Sequence, residues 1–384
     1  MGQYSKYKIY YKEEYDGEQW TPVIPYEFYA ELIEEYSEDC GYVPPTGYSD
    51  YLTFDILGDG NIQYGICGDC GCERLTDYTV SYSLDGGLTW STPSDSILIS
   101  VHSGDTIMWK KGNAQNGGRL FTFNNISWET QAPFNVHGNI MSLIYGDDFI
   151  DKTSVGVNIF RGLFEGSKVV NASGLLLPAT TLSESCYMDM FYGCTSLETA
   201  PQLPAEILAK LCYANMFYGC SSLVQTSDLP ATDLPYGCYN SMFRDCISLS
   251  GTPDIKGVTT DYGSCQSMFH NCTSLTNARD LRITKVAPSC CKFMFKGCTS
   301  LTHAPELPAI DLTNANNCYE EMFYGCVSLN YIKAMFTTTI GVPMNYTRFW
   351  VSGVAANGTF VKNANANIPS GTSGIPTGWS VQNV

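Results

Sequence analysis

Cys186-Tyr187-Met188-Asp189-Met190-Phe191-Tyr192-Gly193-Cys194-Thr195-Ser196-Leu197 returns as Cys212-Tyr213-Ala214-Asn215-Met216-Phe217-Tyr218-Gly219-Cys220-Ser221-Ser222-Leu223, 26 residues further on. The unit recurs around Phe243, Phe269, Phe295 and Phe323, in steps of 26, 26, 26 and 28 residues. A degenerate copy, Leu163-Phe164-Glu165-Gly166, precedes the series, and Met335-Phe336 reads as the start of a truncated one. Self-similarity at a fixed period marks stacked repeats, which need about three copies and atypical ends. Within a unit, Met-Phe closes a short turn or helix and Ser-Leu opens an extended piece such as Leu197 to Pro204. The spacing of Leu197, Ala200 and Leu203, ended by proline, suits a short strand better than a helix. One unit cannot bury its Leu, Phe and Met alone, so neighbours must stack into a continuous core. The sequence therefore predicts a solenoid from about 159 to 336, with Phe191, Phe217, Phe243, Phe269, Phe295 and Phe323 in one buried column.

These residues resemble the BspA-like leucine-rich repeats of Bacteroidetes surface proteins and of the crAss-like phages that infect those bacteria. The resemblance covers about Ile159 to Phe336. The run from Trp350 through Phe360 to Val381 is similar to the segment that follows such repeats, and it is read as a capping hairpin. The resemblance implies an adhesion or attachment protein rather than an enzyme.

Thirteen of the seventeen cysteines lie in the repeats. Twelve are read as two columns: Cys186, Cys212, Cys238, Cys265, Cys290 and Cys318, then Cys194, Cys220, Cys246, Cys272, Cys298 and Cys326. Buried cysteine behaves as a small apolar residue. A disulfide framework would pair particular coils, so a thiol in every coil favours packing ladders of free cysteines. Gln202, Asp228, Asp254, Asp280 and Glu306 form a third column, about 4.8 Å apart if the coils pair in register. Stacked carboxylates repel and must meet water or a cation; solvent exposure is preferred over calcium, which wants six to eight oxygens. Tyr187, Tyr213, Tyr239 and Tyr319 offer aromatic faces that either stack on sugars or pack between coils. The carboxylate and tyrosine columns are the candidate ligand-binding residues.

Ahead of the repeats, Tyr78 to Tyr82, Ile97 to Val101 and Thr106 to Trp109 are β-rich runs between Gly, Asp and Ser turns, predicting a small antiparallel β-sandwich. Ser83-Leu84-Asp85-Gly86-Gly87-Leu88-Thr89-Trp90 resembles the Asp-box of sialidases, a hairpin-turn motif remote from catalysis, so it supports β-structure and not hydrolysis. Cys67, Cys70 and Cys72, with Cys40 upstream, could supply four thiolates to zinc. A zinc ribbon wants two separated CxxC knuckles and one is missing, so a glycine-rich turn with incidental cysteines is preferred. His102, His137, His270 and His303 are scattered and belong to no catalytic motif.

The first fifty residues hold eight Glu, three Asp and three Lys, a net of −8, and ten of the 26 tyrosines. Pro25 to Asp39 reads as an amphipathic helix with Phe28, Leu32 and Tyr36 on one face. Residues 1–45 are thus expected to be an attachment module, 46–155 the β-sandwich, 156–340 the repeat solenoid and 341–384 the C-terminal cap. The whole chain carries −17, which argues against phosphate backbones and anionic membranes as partners. No stretch approaches the ~20 apolar residues of a membrane span, and no secretory signal opens the sequence. These readings lead to a non-catalytic phage virion surface or fibre protein, made in the host bacterial cytoplasm. It would bind other virion proteins through residues 1–45 and a surface glycan or protein through the repeats. A secreted or cell-surface adhesin and a glycan-degrading enzyme with an appended solenoid are the alternatives. Fibres often trimerise, but no heptad or collagen repeat enforces three chains here.

Overall fold

The computed structural model describes residues 12–15, 20–23, 50–64, 80–93, 97–112, 131–338 and 345–384. The chain divides into two units, Met1–Thr46 and Gly47–Val384. In the first, strands β1 (Lys12–Tyr15) and β2 (Trp20–Val23) pair antiparallel. The Pro25 to Asp39 helix expected there lies outside the described residues, as do Cys40, Cys67, Cys70 and Cys72.

The second unit is β-rich, with several sheets and none closed. Among the described residues its α-helix is the four-residue α1 (Ser142–Tyr145). Five strands form one sheet in the order β5-β7-β3-β8-β9: β3 is Leu52–Ile56, β5 Val80–Ser83, β7 Thr106–Lys111, β8 Phe134–Asn139 and β9 Gly174–Leu176. Apart from the parallel β8–β9 pair, its pairings are antiparallel. Strands β4 (Gly60–Tyr64) and β6 (Ile97–Val101) make a second antiparallel pair. Alternation sends Phe54, Ile107, Trp109, Phe134 and Val136 into one core, where Phe54 stacks on Phe134 at 4.4 Å. Gly138 has φ +83, and a Cβ there would stand 2.1 Å from the Tyr51 carbonyl oxygen, so the crossing of β8 past Tyr51 needs glycine.

The expected boundary at 155/156 is not a physical division. β8 pairs with β9, Phe134 bridges Val169, and the buried residues from Leu52 to Trp379 form one cluster. The front sheet is the first layer on which the repeats stack.

From there the units pile up through parallel bridges at the repeat spacing: Asn171 to Thr199 to Gln225, then Gly251 to Asn277 to His303 to Tyr331. The extended piece predicted at Leu197 to Pro204 makes a bridge and not a regular strand. Pro201 and Pro204 lack the N–H a longer ladder needs. The Met-Phe segment is neither helix nor strand but a chain of interlocked turns. Tyr187, Asp189, Phe191 and Gly193 donate to the next coil's Cys212, Ala214, Met216 and Tyr218 carbonyls at 2.7–3.0 Å. The residues between them, Met188, Met190, Tyr192 and Cys194, donate three residues back within the coil. Every fourth residue has positive φ: Ser185, Asp189 and Gly193, then Leu211, Asn215 and Gly219, and so on through Asn317, Glu321 and Gly325. Glycine, asparagine and aspartate recur there because they tolerate the left-handed region.

This ladder fixes the register, and three expectations change. Tyr239 N–H donates to Ser264 and Cys265 N–H to Cys290, as Tyr187 does to Cys212. Ser264 therefore occupies the first cysteine column, while Cys265 and Cys291 occupy the tyrosine column. Met335-Phe336 does not begin a further copy. Phe323 N–H donates to Trp350 and Gly325 N–H to Ser352, so Trp350-Val351-Ser352-Gly353 is the last turn unit, with Trp350 in the methionine position. The cap is not a hairpin: β12 (Tyr331–Ala334), β13 (Thr359–Lys362) and β14 (Ser380–Asn383) pair in parallel. Parallel neighbours need a crossover between them, and here each crossover is one more coil.

Candidate functional site

Each coil presents the same backbone, so its columns divide by depth. Phe164, Phe191, Phe217, Phe243, Phe269, Phe295 and Phe323 stack in succession with ring centroids 5.1–5.8 Å apart, all buried. Beside them Met190, Met216, Met242, Met268, Met294 and Met322 are fully buried. The thirteen repeat cysteines are buried and unpaired. Cys220, Cys246, Cys272 and Cys298 each donate the thiol to the carbonyl of a phenylalanine on the preceding coil, at 3.0–3.1 Å. Burial holds these thiols protonated, pushing Cys194 up to about 12. At the start of that column stands Ser167, fully buried, as Ser264 stands in the other. A hydroxyl replacing a thiol once in each column marks the position as a small buried donor.

Tyr187, Tyr213, Tyr239 and Tyr319 are at most 1% exposed, so they cannot offer aromatic faces to a ligand. They pack, Tyr187 on Tyr213 at 5.7 Å and Tyr213 on Tyr239 at 6.1 Å. Packing between coils buries each ring, which the sequence alternative of packing anticipated.

The carboxylate column lies at the surface, with Gln202, Asp228 and Asp280 exposed and Asp254 and Glu306 half-buried. The chain supplies its cations. Lys256 and Arg282 pair with Asp254, Arg279 with Asp228, and Lys333 with Glu306. One oxygen of Asp228 also accepts the Asp254 N–H, and one of Asp280 the Glu306 N–H, each at 2.8 Å. Repulsion is thus relieved by interleaved Lys, Arg and backbone donors. Among the described residues no group of three or more His, Cys, Asp or Glu side chains is placed to hold a metal.

One varied column is the residue after each phenylalanine: Tyr192, Tyr218, Arg244, His270, Lys296 and Tyr324. It faces outward, opposite the buried ring beside it. Tyr192 meets Tyr218 edge-on at 4.9 Å, Arg244 lies over the Tyr218 ring at 5.2 Å, and Lys296 lies over Tyr324 at 4.9 Å. His270 stands between the two cations. Burial first, and then Arg244 and Lys296, lower its pKa from 6.5 to about 4, so it is neutral at pH 7. No protein-family model, curated protein or solved structure matches the chain. The strip is thus defined by its own geometry: about one coil per side chain, aromatic at both ends, cationic in the middle, with Asp245 and Glu321 alongside. It can stack on flat ligands and hydrogen-bond polar ones. It was open to sequence reading as the one position of the unit where Tyr, Arg, His and Lys alternate. From the sequence, His270 occupies a variable position of the repeat where other copies carry Tyr or Arg, which reads as surface decoration.

The Asp-box segment forms the expected hairpin turn. Gly87 N–H donates to Ser83 Oγ at 2.8 Å, Thr89 N–H to Asp85 at 2.9 Å, and Trp90 Nε1 to the Gly87 carbonyl at 3.0 Å. The Thr89 hydroxyl first, then the Thr89 N–H and the Ser83 hydroxyl, donate to Asp85 and hold its carboxyl down at about 2. All its polar groups serve the turn.

Proposed function

We propose that the chain is a non-catalytic attachment protein. In this reading residues 156–340 form a BspA-like leucine-rich-repeat solenoid that carries the ligand-binding surface, displayed on a phage particle. One observation carries it: on a buried scaffold that repeats Phe, Met, Leu and Cys, the outward residue after each phenylalanine changes from Tyr192 and Tyr218 to Arg244, His270, Lys296 and Tyr324. A fixed scaffold with varied outward columns is how repeat proteins make extended binding surfaces. Function does not follow from fold, so the particle location rests on the likeness of the repeats to phage and Bacteroidetes surface proteins. The acidic, tyrosine-rich residues 1–45 would be the particle-bound end, tyrosine being favoured at interfaces.

Mass spectrometry of purified particles and binding of the purified chain to Bacteroidetes cells test the reading together. The chain is expected in particles, and Tyr192→Ala with Tyr218→Ala is expected to weaken cell binding. Deleting residues 1–45 should abolish incorporation and leave cell binding intact. A chain found on bacterial surfaces and never in particles would make it an adhesin. Depolymerisation of a surface polysaccharide by the purified chain would make it an enzyme.

A further inference from the structure

A groove of about 330 Å³ crosses three successive coils of the stack. Its floor and walls are a three-by-three patch, one triplet per coil: Glu206 to Leu208, Asp233 to Pro235, and Thr259 to Asp261. The parallel pair β10 (Asp233–Leu234) and β11 (Thr259–Thr260) sets the register across two of them. We propose that this groove is a subsite for a neutral, hydroxyl-rich ligand, one sugar unit of an uncharged glycan. The proposal rests on the attachment reading and names the ligand class of the surface.

Hydrogen-bonding capacity comes first. Asp233 accepts the Thr259 hydroxyl with one oxygen, and Asp261 accepts the Tyr262 N–H with one oxygen at 2.6 Å. Among the described residues, no protein donor occupies the second oxygen of either or any oxygen of Glu206. A ligand rich in O–H donors satisfies carboxylates, and such charge-assisted bonds are the strong ones. The apolar half follows. Leu234 lies buried in the floor while Ile207 is 62% exposed beside it, an aliphatic surface for the C–H face of a sugar ring. Tyr236 and Tyr262, next in the chain after Pro235 and Asp261, are 41% and 47% exposed and stack on each other at 5.6 Å. Mutual stacking makes them a rigid amphipathic rim that loses little entropy on binding.

Charge decides between ligand classes. Three carboxylates around one groove repel uronates and sulfated sugars. Lys210, over the Tyr236 ring at 5.6 Å, is paired with Glu184 at 3.2 Å and does not offset that charge. A neutral polyol meets no such repulsion. Carboxylates and aliphatic side chains share the lining, which suits a weak, repeated contact along a polymer rather than a sequestered small molecule.

The test is a glycan array carrying neutral and acidic oligosaccharides, probed with the full chain, followed by calorimetry on the neutral oligosaccharides retained. Wild type is expected to retain neutral members and no acidic ones. Glu206→Gln with Asp233→Asn keeps the shape and removes two charges from exposed positions. It should weaken the neutral ligand about tenfold, the difference between charge-assisted and neutral hydrogen bonds, and admit acidic members. Tyr262→Ala, which leaves the carboxylates in place, should also weaken neutral binding. Retention of acidic members by wild type, no neutral retention, or neutral binding unmoved by both variants would overturn the subsite. If the array signal instead falls with Tyr192→Ala and Tyr218→Ala, the subsite is wrong and attachment stands. If cells are bound and no glycan is, the ligand class is wrong, and if neither is bound both readings fail.

Discussion

The front sheet and the repeat stack share one core yet solve their polar problems in opposite ways. In the front region each problem is closed locally. Lys110 lies over the Trp90 ring at 4.2 Å and the Tyr51 ring at 5.6 Å, and it pairs with Asp147 at 2.7 Å. Tyr51 donates its hydroxyl to the same carboxylate, and burial with that carboxylate raises Tyr51 to about 12. Nothing in that cluster repeats. In the stack the buried Phe, Met and most Cys side chains have a copy one coil above or below, so much of their packing is shared along a column. The comparison teaches that a substitution in the stack should be felt over several coils, whereas one in the front sheet should stay local.

The largest test of that difference is Phe243→Ala. It opens a void between Phe217 and Phe269 and should cost about 3–5 kcal/mol. Hydrogen exchange should accelerate in the coils on both sides, as at the Phe217 and Phe269 amides. Acceleration confined to one coil would break the comparison.

Cys246→Ala removes the donor to Phe217 and a buried sulfur, and it should cost about 1–2 kcal/mol in chemical denaturation. Cys246→Ser keeps a donor, as Ser167 does at the start of the column, and should cost less. In the same series, unfolding without reductant should release all thirteen repeat thiols to alkylation, with labelling slow in the folded protein. Fewer reactive thiols would mean that the columns are cross-linked.

A smaller effect is expected at His270. The folded ring stays neutral down to about pH 4, whereas the unfolded ring takes a proton near its ordinary 6.5. Between those values unfolding takes up a proton, so stability falls as pH drops from about 6.5 to about 4. The loss should be about 1 kcal/mol, the full shift being tempered by partial solvation of the ring. His270→Asn should flatten that part of the profile, and an unchanged profile would sink the assignment.

Smallest is Asp254→Ala. It releases Lys256 and Arg282 at the surface and should cost less than about 1 kcal/mol, fading as salt rises. A larger, salt-independent loss would show that the column is structural and not a solvated face.

Much of the stack was legible because its period is written in residues that cannot be exposed. Phe, Met and Leu at fixed steps demand burial, and the phenylalanine column came out in register. The strands at 97–101 and 106–111 were legible for the same reason, as alternating apolar runs closed by turns. The misplacements have one cause. Cys265 was aligned by residue type to the first column and Met335-Phe336 by its Met-Phe pair, but register is set by which N–H meets which carbonyl, and those bonds place Ser264 and Trp350 in the two positions instead. The groove was not legible for a related reason: where three coils leave a gap depends on the turn geometry of the coil, which composition does not encode.

By itself the sequence determined that units of about 26 residues must stack, that Phe, Met, Leu and Cys are their interior, and that a front β region precedes them. It could do so because burial of apolar surface is non-directional and needs only the right residues at the right spacing. Tertiary structure alone decided that Tyr187 packs while Tyr192 faces water, that Lys256 and Arg282 reach Asp254, and that three coils leave a groove at Asp233. Those outcomes depend on hydrogen-bond and charge geometry, much of it between residues on different coils, which is directional and falls off within a few ångströms.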